Sequence, residues 1–243
     1  MTRTRSRLST AAASVAGLVT AALVLSGCSA IDSLTGSGDA SPSSGASPTA
    51  TATPYPSQFT RDGTFQSHIR IDGMDYVYTL YPTKSTPRTN EWYPKGSKYY
   101  SFTFQAYDLT KKLRAPFATK RKVYLSRIKV ESDTLTYNGA KTEHPYSLDA
   151  EAKTITFDPE PVSTKYGMLI TSPKGAFELR NQEIKPTSQE TKGIDLHFTA
   201  TVYTQTSAGA TTYKKMIIRQ KVPIAIFPNE QPTQVQSIPV DAN

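Results

Sequence analysis

The stretch that decides the fold is "IDLHFTATVYT", residues 194–204, in which apolar and polar side chains alternate without interruption. Successive side chains of a β-strand point to opposite faces, so a period of two places the apolar residues on one face. The apolar positions are Ile194, Leu196, Phe198, Ala200 and Val202. The stretch therefore predicts a strand with one face in a hydrophobic core and the other in water.

The same alternation recurs on both sides of this strand. The longer candidates are residues 64–71, 74–81, 98–109 and 211–227, and the shorter ones are 134–138, 154–158, 166–172 and 176–181. Asp72-Gly73 predicts a two-residue hairpin turn, and "SAGA" at 207–210 predicts another turn. Because no window of eleven or more residues has the period of an amphipathic helix, the domain is predicted to lack long helices.

One segment, residues 121–130, changes face part-way along. Val123 and Leu125 share one face, whereas Ile128 and Val130 share the other. This switch predicts a β-bulge near Ser126-Arg127, or a strand that passes from one sheet to another.

Together these patterns predict an all-β domain of about nine or ten strands, arranged as an antiparallel β-sandwich of immunoglobulin-like architecture. The chain has one cysteine and one tryptophan, so the Cys–Trp–Cys pattern of antibody domains is absent and only the architecture is implied. A β-barrel is the alternative arrangement of the same strands.

The N-terminus has the pattern of a secretory signal peptide. Arginines at positions 3, 5 and 7 precede the apolar run "AAASVAGLVTAALVL", residues 11–25, as in the charged and apolar regions of such peptides. The run is shorter than the roughly 20 apolar residues that a transmembrane helix needs. We therefore expect export rather than a membrane-spanning helix.

The tetrapeptide Leu25, Ser26, Gly27 and Cys28 resembles the lipobox of bacterial lipoprotein precursors. The resemblance covers residues 1–28 only; no family is recognised for the rest of the chain. It implies removal of the signal peptide, residues 1–27, and attachment of diacylglycerol to the Cys28 thiol. Each buried acyl CH₂ group stabilises membrane association by about 0.8 kcal/mol. The implied location is the outer face of the bacterial cell membrane.

The composition divides the remaining chain into three parts. Residues 28–60 are rich in Ser, Thr, Ala, Gly and Pro and predict a disordered linker, since such a segment buries too little apolar surface to fold. Residues 61–227 hold all the strand patterns and predict one β-sandwich domain. Residues 228–243, which contain three prolines, predict an extended tail.

Positive charge is concentrated in the middle of the chain. The formal net charge is +8, and residues 109–130 contain eight basic residues and no acidic one. These candidate anion-binding residues are Lys111, Lys112, Arg114, Lys120, Arg121, Lys122, Arg127 and Lys129. A second basic cluster occupies residues 214–221. If both lie on one surface they would attract polyanions; the alternative is that they decorate solvent-exposed loops and strand edges.

Aromatic residues form a second candidate site in the Pro-rich loop 82–96. Trp92 and Tyr93 lie there, and aromatic rings in a loop stack on sugars or anchor a protein partner. The alternative is that both rings pin the loop to the sheet.

No catalytic residue, metal site or cofactor is predicted. The three histidines are scattered, the chain lacks the Gly-x-Ser-x-Gly and glycine-rich nucleotide motifs, and lipidated Cys28 offers no thiolate. The predicted function is therefore a non-catalytic lipoprotein that binds an anionic cell-wall polymer or an envelope protein, and not nucleic acid. The alternatives are a carbohydrate-binding module that uses the loop aromatics and an envelope hydrolase that uses a carboxylate pair.

Overall fold

The structure, a computed structural model, describes Tyr55 and residues 63–238. The predicted signal peptide, the lipobox with Cys28 and nearly all of the predicted linker lie outside these residues. The described residues form ten strands: β1 (Phe65–Ile71), β2 (Met74–Pro82), β3 (Lys98–Asp108), β4 (Val123–Thr136), β5 (Ser147–Glu151), β6 (Ser163–Thr164), β7 (Gly167–Leu169), β8 (Phe177–Ile184), β9 (Thr191–Gln205) and β10 (Tyr213–Ala225).

The strands form two antiparallel sheets. The four-stranded sheet has the order β1-β2-β3-β8, and the six-stranded sheet has the order β10-β9-β4-β7-β6, with β5 also paired to β4. Each sheet runs from one edge strand to another, so neither closes on itself. The prediction of an antiparallel sandwich with nine or ten strands is confirmed, and the alternative of a barrel is not what the described residues form.

The core lies between the two sheets and is rich in aromatic rings. The Phe198 ring on β9 lies 5.4 Å from Tyr78 on β2 and 5.0 Å from Phe102 on β3, measured between ring centroids. Every apolar residue of the deciding stretch 194–204 is buried, as its period predicts. Offset and edge-to-face rings bury large areas and add about 0.5–1.5 kcal/mol per pair, so this aromatic layer joins the sheets without a disulfide.

The predicted irregularity in the central strand is confirmed as a bulge. The pairing of β4 with β9 shifts register between Leu125 and Arg127, which leaves Ser126 as the extra residue. Gly167 of β7 lies against this point with φ +113°, and a Cβ there would lie 2.1 Å from the Leu125 carbonyl oxygen. The bulge therefore depends on the absence of a side chain at residue 167.

One short strand prediction was wrong. Within residues 154–158 the chain forms the end of a one-turn helix, α1 (Ala152–Ile155), followed by an extended connection. Ala152 is buried, and the Thr154 hydroxyl donates to the Glu151 carbonyl at 2.8 Å. Five residues of alternating pattern cannot distinguish a strand from a single turn, because burial of one small residue satisfies both.

The two ends of the sandwich differ in what they carry. The β1–β2 turn, the end of β3, the start of β4 and the β9–β10 turn meet at one end, which we call the basic end. The first described residues of the domain, 63–65, lie at the opposite end, roughly 20 Å away along the seven residues of β1. Tyr55 lies near that opposite end too, since its hydroxyl donates to Asp195.

The C-terminal tail is extended over the part that the structure describes. Residues 228–238 contain no helix or strand and lie along the loop 83–97. Thr233 is buried there, with its N–H donating to the Lys95 carbonyl at 2.7 Å, and the Gln236 N–H donates to Ser85 at 2.8 Å. The tail thus covers the loop at the end opposite the basic end.

Candidate functional site

The connection from β3 to β4 forms the basic loop, residues 109–122, at the basic end. Its first residues are held by Asp108, whose Oδ1 accepts hydrogen bonds from the Thr110 N–H and hydroxyl at 3.1 and 2.6 Å. The Leu109 N–H donates to the Gly73 carbonyl at 2.9 Å, which ties the loop to the β1–β2 turn. The loop is therefore anchored where it leaves the sheet.

The other end of the loop is held by an ion pair between Arg121 and Asp108. Arg121 Nη2 lies 3.1 Å from Asp108 Oδ1, and the Arg121 main-chain N–H donates to Oδ2 at 2.8 Å. Burial raises the pKa of the Asp108 carboxyl, but the hydrogen bonds from Arg121 and Thr110 outweigh it and hold that pKa well below its usual range. Asp108 stays ionised and closes the loop.

Four of the predicted anion-binding residues keep their charge uncompensated. Lys111, Lys112 and Arg114 are exposed and Lys122 is half-buried, and none of them has an ion pair with the residues that the structure describes. Lys174 adds a fifth cation, since its Nζ lies 5.3 Å from the centre of the Phe117 ring in the same loop. Lys111, Lys112 and Arg114 therefore expose uncompensated positive charge on one loop at the basic end.

The other four predicted residues have structural partners. Lys120 is only 3% exposed and its Nζ donates to the Leu113 carbonyl at 2.7 Å, while Arg121 holds Asp108. The remaining two residues lie on β4, beyond the loop, where Arg127 pairs with Asp149 and Lys129 with Glu131, each at 2.7 Å. Four of the eight cations are therefore uncompensated among the described residues, and the other four stabilise the fold or pair on the sheet surface.

The second basic cluster reaches the same end through the β1–β2 turn. Lys214 Nζ lies 2.8 Å from Asp72 Oδ2, and Arg121 Nη1 donates to the Asp72 carbonyl at 2.9 Å. The two clusters therefore meet at Asp72. Further along β10, Lys221 is paired with Asp195 at 2.7 Å, so the cluster is compensated towards the opposite end.

A cavity of about 330 Å³ lies beneath the basic loop, against the outer face of the four-stranded sheet. Its lining residues are His68, Asp75, Tyr107, Asp108, Leu109, Lys111, Leu113, Lys120 and Ser172. His68 Nδ1 lies 2.8 Å from Asp75 Oδ2, whereas Asp75 Oδ1 is buried without a hydrogen-bond partner. Neither His68 nor Asp75 was predicted as a site residue; the signal was a His and an Asp at diagonal positions of one hairpin, where His68 faces Val77 and Asp75 faces Arg70.

Trp92 is fully buried, so the predicted aromatic loop lacks its main stacking ring. The indole Nε1 donates to the Thr86 carbonyl at 3.1 Å, and the Trp92 carbonyl accepts from the Phe227 N–H at 2.9 Å. Tyr93 is half-buried, and its N–H donates to the Thr233 hydroxyl at 2.9 Å. Both residues fasten the loop, as the alternative interpretation has it.

Partly exposed aromatic rings occur elsewhere, on the outer face of the six-stranded sheet. An aromatic patch is formed by Tyr166, Tyr203 and Tyr213, with ring centroids 5.2 Å apart for Tyr166–Tyr203 and 4.4 Å apart for Tyr166–Tyr213. All three are half-buried, and Lys165 Nζ lies 5.2 Å from the Tyr166 ring centre. Only pairing of β9 with β10 and the position of residue 166 bring these tyrosines together.

The nearest candidate carboxylates for a hydrolase are Asp149, Glu151, Asp158 and Glu160, and the first two of them lie beside cations. Asp149 pairs with Arg127 at 2.7 Å, and Glu151 lies 3.6 Å from Lys153. His144 and His197 meet at Asp133, at 3.0 and 3.2 Å, whereas His68 lies apart from them against Asp75. Among the described residues no group of three or more His, Cys, Asp or Glu is arranged to hold a metal ion.

No family model and no curated protein matches this chain. Within Tyr55 and residues 63–238, no helix has both the length and the hydrophobicity to span a bilayer.

Proposed function

We propose that this chain is a lipid-anchored lipoprotein of the outer face of the bacterial cell membrane, whose non-catalytic β-sandwich binds an anionic polymer of the envelope. The anchor is Cys28, and the binding surface is the group of uncompensated cations on the basic loop. The carrying observation is that Lys111, Lys112 and Arg114 are exposed and unpaired within the described residues, on a loop that Asp108 and Arg121 hold in place.

A polyanion is attracted by cations that lie on one surface and have no carboxylate beside them. Their fields add, whereas a cation paired with a carboxylate contributes little at a distance. The anchored loop also loses less conformational entropy on binding than a free one would. Both features favour a polymer with regularly spaced negative charges.

The position of the loop favours the cell wall over the membrane surface. Apart from Tyr55, the first residues that the structure describes are 63–65, and they lie at the end opposite the basic loop. A domain held at that end presents its basic loop away from the bilayer. We therefore propose a polymer of the wall, rather than lipid headgroups, as the ligand.

The test uses the mature chain, residues 28–243, with Cys28→Ser. Without a lipid, the chain cannot associate with envelope membranes through an anchor, so the binding measured is that of the domain. Its binding to isolated cell envelope is compared before and after chemical removal of anionic polymers. We expect binding that weakens steeply with salt, because binding releases counterions from the polymer. The triple change of Lys111, Lys112 and Arg114 to Gln should weaken it at least tenfold.

A matched control removes three exposed lysines at the opposite end, by changing Lys84, Lys141 and Lys185 to Gln. This variant has the same net charge as the first and should bind like the parent. Equal loss in both variants would mean that overall charge alone drives binding, and unchanged binding of the loop variant would refute the proposal.

A second candidate, carbohydrate binding, is favoured by the aromatic patch instead of Trp92. Stacked tyrosines beside a cation provide flat apolar faces with polar edges, which suit sugar rings. Changing Tyr166 and Tyr203 to Ala should abolish retention of the mature chain on neutral wall glycans. Retention unchanged in this variant would remove the candidate.

A further inference from the structure

We propose that the cavity beneath the basic loop binds a phosphorylated polyol unit, with its hydroxyl groups on Asp75 and its phosphate on Lys120 and Lys111. This inference rests on the proposed function, because it names the repeating unit that the anionic polymer would present. The chemistry is shared by polyol phosphate polymers of the wall and by glycerol phosphate headgroups of lipids.

The first half of the argument is the Asp75 carboxylate. Asp75 is 5% exposed and lines the cavity. His68 Nδ1 contacts its Oδ2 at 2.8 Å, but its Oδ1 has no hydrogen-bond partner among the described residues. An unsatisfied buried carboxylate oxygen is costly, so a ligand that donates a hydrogen to it gains more than an exposed contact would. The carboxylate therefore selects a ligand with O–H or N–H donors.

The second half is the Lys120 ammonium, which lines the same cavity. It is 3% exposed and makes one hydrogen bond, to the Leu113 carbonyl, although an ammonium has three donors. No ion pair joins Lys120 to Asp75, and both residues line the cavity. A ligand that carries an anionic group next to hydroxyls bridges them.

The balance of charge around the cavity decides between hydroxyl and ammonium donors. Asp108 is neutralised by Arg121, which leaves Lys111 and Lys120 against the single carboxylate of Asp75. His68 adds no negative charge, and its Nε2 lies 3.3 Å from the Gln66 amide oxygen. The cavity is therefore net positive, which favours a ligand with net negative charge and neutral donors over a zwitterion.

The size and the rim fit a small unit of a longer chain. A volume of about 330 Å³ is at the small end of ligand sites, and Leu109 and Leu113 expose 50% and 70% of their surface at the rim. Apolar residues at the mouth contact the carbon backbone of a polyol. The uncompensated cations Lys112 and Arg114, which do not line the cavity, are placed to contact neighbouring phosphates of the polymer.

The first experiment needs no variant. Amide chemical shifts of the mature chain with Cys28→Ser are followed by NMR during titration with sn-glycerol 3-phosphate. We expect shifts at residues lining the cavity, His68, Tyr107 and Ser172. Glycerol, inorganic phosphate and phosphoethanolamine should each bind at least tenfold more weakly. Absence of shifts in the cavity, or equal affinity for any of these three probes, would overturn the inference.

The second experiment assigns the contacts. Asp75→Asn keeps the size of the side chain but lowers its strength as an acceptor, and should weaken binding of glycerol 3-phosphate about tenfold. Asp149→Asn, the same change on the surface of β5, should leave it unchanged. Unchanged amide shifts away from the cavity would show that Asp75→Asn is folded. If this folded variant then bound glycerol 3-phosphate with the affinity of the parent, the inference would be overturned.

Asp75→Asn and a double variant, Lys112→Gln with Arg114→Gln, separate this inference from the proposed function. Poly(glycerol phosphate) should bind Asp75→Asn more weakly than the parent, with the remaining binding being electrostatic, whereas the Lys112→Gln, Arg114→Gln variant should lose affinity for the polymer but keep that for glycerol 3-phosphate. Polymer binding with no response to Asp75→Asn would refute the cavity site alone. Phosphatidylglycerol vesicles present the same headgroup, so binding to them and not to the polymer would support the cavity and refute the wall location.

Discussion

Arg121 and Asp108 join three separate segments of the sandwich through one ion pair. The guanidinium contacts both carboxylate oxygens, with Nη2 3.1 Å from Oδ1 and Nε 3.3 Å from Oδ2, and Nη1 donates to the Asp72 carbonyl at 2.9 Å. The end of β3, the start of β4 and the β1–β2 turn are thereby held together. The position of the basic loop follows from this pair.

Loss of the pair should therefore destabilise the domain. Asp108→Asn leaves the Arg121 charge without compensation, and we expect a loss of about 3 kcal/mol in the free energy of unfolding. The side chains of Arg121 and Asp108 are 13% and 1% exposed, against 50% and 45% for Arg127 and Asp149. Asp149→Asn should thus cost less than about 1 kcal/mol. Urea unfolding measures both, and similar losses would contradict the structural role of Asp108.

The same pair predicts a dependence on acid pH. Because the pKa of Asp108 is lower in the folded than in the unfolded chain, its stabilisation is complete above the unfolded pKa. It is lost as pH falls through the acidic range below about 4. The difference in unfolding free energy between the parent and Asp108→Asn should shrink over this range. A constant difference would show that Asp108 acts through packing instead of charge.

Lys98 predicts a second rise of stability with pH, in the alkaline range. It is fully buried, its Nζ donates to the carbonyls of Tyr93, Pro94 and Gly96, and burial lowers its pKa to about 8. The folded chain therefore releases this proton at a lower pH than the unfolded chain does. Stability should rise by about 1 kcal/mol between pH 7 and 9. Thermal or urea unfolding of Lys98→Met should lack this rise; a parallel slope would contradict the assignment.

Gly167 tests the dependence of the bulge on a missing side chain. Gly167→Ala combines positive φ with a clash against the Leu125 backbone, whereas Gly209→Ala has positive φ (+79°) and nothing within 4 Å. Strain at positive φ costs about 1–2 kcal/mol in both, and overpacking adds about 1–3 kcal/mol at residue 167. Unfolding midpoints compare the two variants. Equal losses would mean that β7 moves freely away from β4.

Trp92 predicts a spectroscopic result that separates its structural from its binding role. As the one tryptophan of the chain, and a buried one, it should emit at short wavelength and resist quenching by acrylamide. Neither property should change with wall glycans. Trp92→Ala should cost about 3–5 kcal/mol, because a large buried ring is lost. A glycan-dependent emission shift would restore the loop as a sugar site.

The fold could be predicted from the sequence because alternation is a local property. The period of two in residues 194–204, the Asp72-Gly73 turn and the face switch at Ser126 each reflect one strand or turn and its need to bury one face. The strand predicted at residues 154–158 was wrong because five residues contain too few apolar–polar repeats to identify a strand. The stacking role considered for Trp92 does not fit its burial, because a Pro-rich sequence does not indicate whether other segments cover the loop.

What the sequence by itself determined is the class of fold, the turns, the bulge and the accumulation of positive charge, all of which follow from neighbours along the chain. Only the tertiary structure decided which cations lack an ion pair. Asp108 at the end of β3 and Arg121 just before β4 meet across the basic loop, so Arg121 is paired. The tertiary structure also placed His68, Asp75 and Lys120 around one cavity. Such contacts depend on strand pairing and loop packing between distant residues, and no local period encodes them.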